Sequence, residues 1–139
     1  MDEPHLAPFV AIVDDEEPVR IALGRLLGAM GLRAQGFADG TSFLAFLEGA
    51  RPDCLILDLH MPGMSGLDLL RALRARQRPL PTIVITAHDE PETRGNCLRA
   101  GAAVYLRKPL DGNALFGAIA EALGERGAAA LHRHPPRVQ

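Results

Sequence analysis

The stretch that most constrains this chain is Cys54-Leu55-Ile56-Leu57-Asp58, an uncharged apolar run that ends abruptly on a carboxylate. His60-Met61-Pro62-Gly63 turns the chain away at once. A run this apolar fits a central strand of a parallel sheet, buried on both faces. Open α/β sheets gather ligand-binding groups just beyond the carboxyl ends of their strands, which is where Asp58 stands. A lone Asp there would merely start a turn. The other strand ends change that reading.

Phe9 to Val13 is a second apolar run, and it stops on Asp14-Asp15-Glu16-Glu17. Pro18 fits the first position of a helix, where its missing N–H costs nothing. Val19, Ala22, Leu23, Leu26 and Met30 follow at spacings that predict an apolar helical face, and Gly31 ends it. Residues 32–37 read as a weaker strand near a sheet edge. A helix over 41–48 turns Phe43, Leu44 and Leu47 inward, with Gly49 closing it. After the central strand, Ser65 and Asp68 have capping-box spacing, and Met64 and Leu69 stand as a hydrophobic staple. That third helix points Leu67, Leu70 and Leu73 inward.

Thr82-Ile83-Val84-Ile85-Thr86 is the fourth strand. The helix expected over 90–100 is poor, because Gly95 and Asn96 sit inside it at up to ~1 kcal/mol each against alanine. It is the element expected to move most easily. Ala102 to Leu106 reads as the fifth strand. Asp111 caps a last helix that buries Leu115, Ile119 and Leu123, with Leu110 and Leu115 as its staple. Five alternations of strand and helix predict a doubly wound α/β fold around a five-stranded parallel sheet. Right-handed crossovers favour the order 2-1-3-4-5. Residues 1–8 read as an N-terminal arm, 9–125 as one domain, and 126–139 as a mobile tail.

The net charge of −2 gives no blanket attraction to nucleic acid or anionic lipid. No apolar run approaches the ~20 residues of a membrane span, and Asp2, Glu3, Pro4 and Pro8 do not suit a signal peptide. Cys54 and Cys97 are too few for a disulfide framework and lack metal-ligand spacing. They read as buried thiols in a reducing compartment. The expectation is a cytoplasmic protein that binds neither nucleic acid nor membrane directly.

In the order 2-1-3-4-5, strands one, three, four and five are neighbours. Their ends bring Asp14 and Asp15, Asp58, Thr86 and Lys108 together. Carboxylates in one crevice repel one another unless a cation joins them, and hard oxygen ligands with open positions suit Mg²⁺ or Mn²⁺. Lys108 adds positive charge on the opposite side. Such a site is built for a phosphoryl group: metal and ammonium neutralise its equatorial oxygens while Asp58 attacks phosphorus.

The pieces that carry a resemblance are Ile12-Val13-Asp14-Asp15-Glu16, Pro52-Asp53 through Leu57-Asp58, and Met61-Pro62-Gly63-Met64-Ser65-Gly66-Leu67. Ile85-Thr86-Ala87, Ala100-Gly101-Ala102 and Tyr105-Leu106-Arg107-Lys108-Pro109 complete it. In this order and at these intervals, residues 8–125 resemble the flavodoxin-like receiver domain of bacterial two-component response regulators. The flavour is that of nitrogen-fixation-type transcriptional regulators. The resemblance implies that Asp58 accepts phosphate from a sensor histidine kinase or phosphotransfer protein. Asp15, Asp58 and the His60 backbone carbonyl would hold Mg²⁺, with Asp14 acting through water. Lys108 would bind a phosphoryl oxygen, oriented by a cis bond to Pro109. Thr86 and Tyr105 would be the switch pair, changing the face formed by residues 90–125, where a downstream partner or a second copy would dock. Pairing with the kinase would lie mainly on the first helix and the loop after Lys108.

His60 and His88 stand two positions after Asp58 and Thr86. Their plain reading is exposed polar side chains; the sharper one is that they tune water access and the lifetime of the acyl phosphate. Three rival functions carry less. A Mg²⁺-dependent phosphatase of haloacid-dehalogenase type would need a second acid where His60 stands, and room for a cap domain. An inactive receiver would not need the full acid pair with Asp58, Thr86 and Lys108. The chain could also be the front of a longer DNA-binding transcriptional regulator, since the residues after 125 are too few for a helix-turn-helix unit of its own. A stand-alone receiver is the expectation.

Overall fold

The computed structural model of the chain describes residues 7–77 and 79–124. All five residues of β3 (Cys54–Asp58) are buried, as are all five of β4 (Thr82–Thr86). Uncharged strands of this kind must be covered on both faces, and the rest of the chain supplies the cover. β1 (Phe9–Val13) leads to α1 (Glu17–Ala29), then to β2 (Arg33–Phe37) and α2 (Gly40–Phe46). After β3 come α3 (Gly66–Ala75), β4, α4 (Pro91–Arg99), β5 (Val104–Arg107) and α5 (Gly112–Leu123). The sheet is parallel throughout, in the order β2-β1-β3-β4-β5.

Alternation along the strands divides the core in two. Leu55 and Leu57 of β3 face a layer built from Phe43, Leu44, Leu69, Leu70 and Leu73. Cys54 and Ile56 face the opposite layer, with Leu23, Leu27, Met30, Leu115 and Ile119. The thin strand β2 lies at the edge, and only its last residue, Phe37, is buried.

Local signals explain most boundaries. Asp39, which carries no expectation from the sequence, caps α2 by accepting from the Ser42 N–H at 2.7 Å. Ser65 and Asp68 form the expected capping box of α3, and Asp111 caps α5 through the Asn113 N–H. Gly31 takes φ +82 just past α1, a conformation a Cβ disfavours. α2 starts at Gly40, one residue before the expectation, and ends at Phe46 rather than Glu48.

Several expectations need correction. Pro18 is the second residue of α1, because Glu17 already has helical geometry. Ala22 is exposed, and Leu27 is buried in its place, so the inward face of α1 runs through Leu23, Leu27 and Met30. A methyl group at 22 has little surface to gain by burial, whereas Leu27 has much. β5 starts at Val104, not Ala102, and reaches Arg107, because the ladder with β4 pairs Ile83 with Val104 and Thr86 with Arg107. In the third helix Leu67 is only half-buried, while Leu69 is fully buried. Leu123 is likewise half-buried at the end of α5. Cys54 and Cys97 are both free and buried, as expected. The expected tail at 126–139 and most of the N-terminal arm lie outside the described residues.

Candidate functional site

Among the described residues, only four polar or charged side chains are buried: Asp14, Asp58, Thr82 and Thr86. Three of them stand at carboxyl ends of adjacent strands. Burying an ionised carboxylate costs several kcal/mol unless it is paired, so the crevice must supply partners. Lys108, at the end of β5, supplies the positive charge. Its Nζ lies 3.1 Å from Asp14 Oδ2, 3.7 Å from Asp58 Oδ1 and 3.9 Å from Glu16 Oε1. The Lys108–Pro109 peptide bond is cis.

Each acid is held from behind. Asp14 Oδ1 accepts the Glu16 N–H at 2.9 Å, and the Asp14 carbonyl accepts Arg20 Nη1 at 2.7 Å. Asp58 Oδ1 accepts the His60 N–H at 3.3 Å. Gly66, the first residue of α3, lets that helix close on the same loop: a Cβ there would lie 2.5 Å from the Asp58 carbonyl oxygen and 2.8 Å from Leu59 Cα. No other residue type fits the approach.

Electrostatics follow from this crowding. Burial, and then the charge of Asp14, push Asp58 up to about 6, with Lys108 pulling the other way. Burial works to lower the Lys108 pKa, but the hydrogen bond to Asp14 and the charges of Asp58, Asp14 and Glu16 outweigh it and hold the ammonium above its usual value. The donor set fits a hard divalent cation. Carboxylate oxygens of buried Asp14 and exposed Asp15 and Glu16 lie within 4.8 Å of one another, beside an Asp58 whose ionised form lacks sufficient counter-charge. Lys108 bridges Asp14 and Asp58, while Asp15 acts on Asp58 only through its charge; the close acidic group itself is Asp14, Asp15 and Glu16, without Asp58. The place of Glu16 in the acidic run is the only sequence signal for it.

Thr86 is fully buried, yet its hydroxyl does not bond to Asp58. It donates to the His88 carbonyl at 3.0 Å and accepts the His88 N–H at 3.1 Å. Tyr105 is half-buried, and its buried hydroxyl has no hydrogen-bond partner among the described residues. Burial, and then the Asp89 charge, raise the Tyr105 pKa, with Arg94 and the Thr86 side chain pulling the other way. His60 and His88 are exposed, with rings edge to face at 5.5 Å between centroids. Two arginines have no counterpart among the sequence expectations: Arg20 behind Asp14, and Arg94, whose guanidinium lies over the Tyr105 ring. Neither has a local spacing signal.

Beside Lys108 an open groove of about 580 Å³ runs between α1 and the loop after β5. Pro18, Val19, Ala22, Leu26, Pro109 and Leu110 line it, which explains what the exposed Ala22 faces. No helix among the described residues is long and apolar enough to cross a membrane.

The comparisons with known proteins converge on one family. The profile of the response regulator receiver domain matches residues 10–120. The transcriptional regulatory protein FixJ of Rhizobium meliloti is 39% identical over 113 residues, covering 81% of this chain and 55% of FixJ. The DNA-binding transcriptional regulator NtrC of Salmonella typhimurium is 40% identical over 103 residues, covering 74% of this chain and 22% of NtrC. The chain thus spans about half of the first relative's length and about a fifth of the second's. Among solved structures, FixJ-N superposes with a TM-score of 0.78 at 36% identity, covering 88% of this chain and 95% of that one. The receiver of a Luxo repressor protein from Vibrio parahaemolyticus reaches 0.82 at 28% identity, covering 91% and 98%. With the predicted strand order, the acidic crevice and a match over most of its length, the chain belongs to the response-regulator receiver family.

Proposed function

We propose that the chain is a phosphorylation switch in which Asp58 is the phosphoacceptor. The observation that carries this is the pairing of buried, crowded Asp58 with Lys108 at 3.7 Å, beside the acidic turn after β1. The donor is the phosphohistidine of a sensor kinase or phosphotransfer protein. An Asp58 carboxylate oxygen forms the new O–P bond as the P–N bond breaks, and the imidazole leaves with the electron pair. With Asp58 near 6, most of it is ionised at neutral pH and able to attack.

Asp15, Asp58 and the His60 carbonyl would hold Mg²⁺ or Mn²⁺, with Asp14 acting through water. A metal held there supplies charge neutralisation at the phosphoryl oxygens. Lys108 holds another of those oxygens. Thr86 then exchanges His88 for the phosphoryl group, and Tyr105 moves with it. The readout is an altered surface over residues 90–125 that a downstream protein or a second copy would recognise. The apolar groove between α1 and Leu110 suits the kinase or phosphotransfer helix, because amphipathic helices bind by laying apolar residues into such grooves. His60 and His88, in contact at the mouth, govern water access to the acyl phosphate.

The test is the intact mass after incubation with acetyl phosphate, with and without Mg²⁺, beside an Asp58→Asn variant. A Mg²⁺-dependent phosphoryl adduct that the variant loses is the expected result. No adduct at any donor concentration would overturn the reading. For the histidine pair, the double alanine variant should change the rate of adduct decay. An unchanged rate would remove them from the mechanism.

A further inference from the structure

The connection between β4 and α4 is joined to Tyr105 through two charged side chains. Arg94 Nη2 lies 2.7 Å from Asp89 Oδ2, a charge-assisted hydrogen bond. The same guanidinium stands over the Tyr105 ring, 5.2 Å from its centroid, within the range of a cation–π contact. Among the described residues the Tyr105 hydroxyl has no hydrogen-bond partner, so packing and Arg94 hold the ring. Asp89 directly follows His88, the residue that takes both bonds of the Thr86 hydroxyl. One short segment thus touches Thr86 at one end and, through Arg94, Tyr105 at the other. α4 has few other attachments: Cys97 is its one buried residue, and Glu90 gives it no side-chain cap.

We propose that Arg94 is a positioning residue which, with Asp89, latches Tyr105 and the first turns of α4 in the arrangement that accompanies the Thr86–His88 bonds. The inference rests on the receiver reading, in which Thr86 leaves His88 for a phosphoryl oxygen on Asp58. That exchange displaces the segment carrying Asp89. The ion pair then breaks or shifts, the ring loses its cation, and α4 is released. The latch therefore sets how strongly the resting arrangement is favoured. Arg94 is half exposed and Asp89 is about a quarter exposed, so the bias is modest. Removing it should shift the ratio of the two arrangements by roughly three- to tenfold.

Tyr105 is the only tyrosine, so tyrosine-selective isotope labelling gives its ring signals alone. The experiment compares Tyr105 NMR signals and the rate of adduct formation from acetyl phosphate and Mg²⁺ in wild type, Arg94→Gln, Arg94→Lys and Asp89→Asn. Arg94→Gln keeps a good helix former in an exposed position, so folding is preserved. Expected is a displacement of the unphosphorylated Tyr105 signals toward their phosphorylated positions, with phosphorylation faster by roughly three- to tenfold. Arg94→Lys should restore part of the effect by keeping the pair with Asp89, and Asp89→Asn should resemble Arg94→Gln. Unchanged Tyr105 signals and rate in Arg94→Gln would overturn the latch. A wild-type chain that takes no phosphoryl group would instead overturn the receiver reading, and the Tyr105 signals of the unphosphorylated variants would still decide whether Arg94 positions the ring.

Discussion

α3 and α4 flank the same strand and pack into the same half of the core, yet they are built to opposite standards. α3 starts on a reciprocal capping box and buries Leu69, Leu70 and Leu73. α4 has no side-chain cap, carries Gly95 and Asn96 in its middle, and buries only Cys97. Even its C-terminus is held from α3, where Arg74 Nη1 donates to the Arg99 carbonyl at 2.8 Å. The difference places stiffness beside Asp58 and looseness beyond Thr86. In the proposed switch the nucleophile and the metal-binding turn would need fixed geometry, whereas the reporting surface would need two arrangements close in free energy.

The sharpest way to break this contrast is to cut one leucine from each helix. Leu69→Ala removes a fully buried side chain and should cost about 2–4 kcal/mol in denaturant unfolding. Leu98→Ala, at a position 46% exposed, should cost less than about 0.5 kcal/mol. Comparable losses would mean that α4 is as firmly docked as α3. Hydrogen exchange offers the same comparison without mutation, with α4 amides expected to open at lower free energy than those of α3.

The rigid side carries one built-in cost, and pH exposes it. Asp58 is raised from 3.8 to about 6 in the folded protein, so between those values the folded state binds more protons than the unfolded one. Stability therefore falls as pH rises through that window. In a metal chelator, Asp58→Asn should raise the melting temperature most above pH 6, and the gain should vanish below about pH 4. A gain that persists at pH 3.5 would show that charge is not its source. Effects smaller than that of Leu69→Ala concern helix construction itself. Ser65→Ala should cost about 1 kcal/mol by removing the cap of α3. Gly95→Ala should stabilise α4 by up to ~1 kcal/mol, because the nearest obstacle is the flexible end of Arg99 at 3.2 Å.

Legibility in the sequence depends on how local each signal is. β3 and β4 are readable because continuous apolar runs ending on Asp58 and Thr86 admit few other structures. The capping box at Ser65 and the weakness of α4 are readable for the same reason. The start of β5 is not, since Ala102 and Ala103 are as apolar as a strand requires and only pairing with Ile83 decides that it begins at Val104. The inward face of α1 is misjudged at Ala22 and Leu27, because residues three and four apart leave the stripe's position undetermined. The acids and Lys108 emerge from strand order alone. Arg20 on Asp14 and Arg94 over Tyr105 depend on tertiary placement, which spacing does not encode.

The single buried residue of α4 also makes this chain its own chemical clock. Burial raises the Cys97 thiol above its usual pKa and shields it, while the second thiol, Cys54, lies deep in β3 and is pushed up to about 12. Alkylation of Cys97 should therefore wait on the lifting of α4, and alkylation of Cys54 on global unfolding. The ratio of the two labelling rates times the motion of one helix against the lifetime of the whole fold.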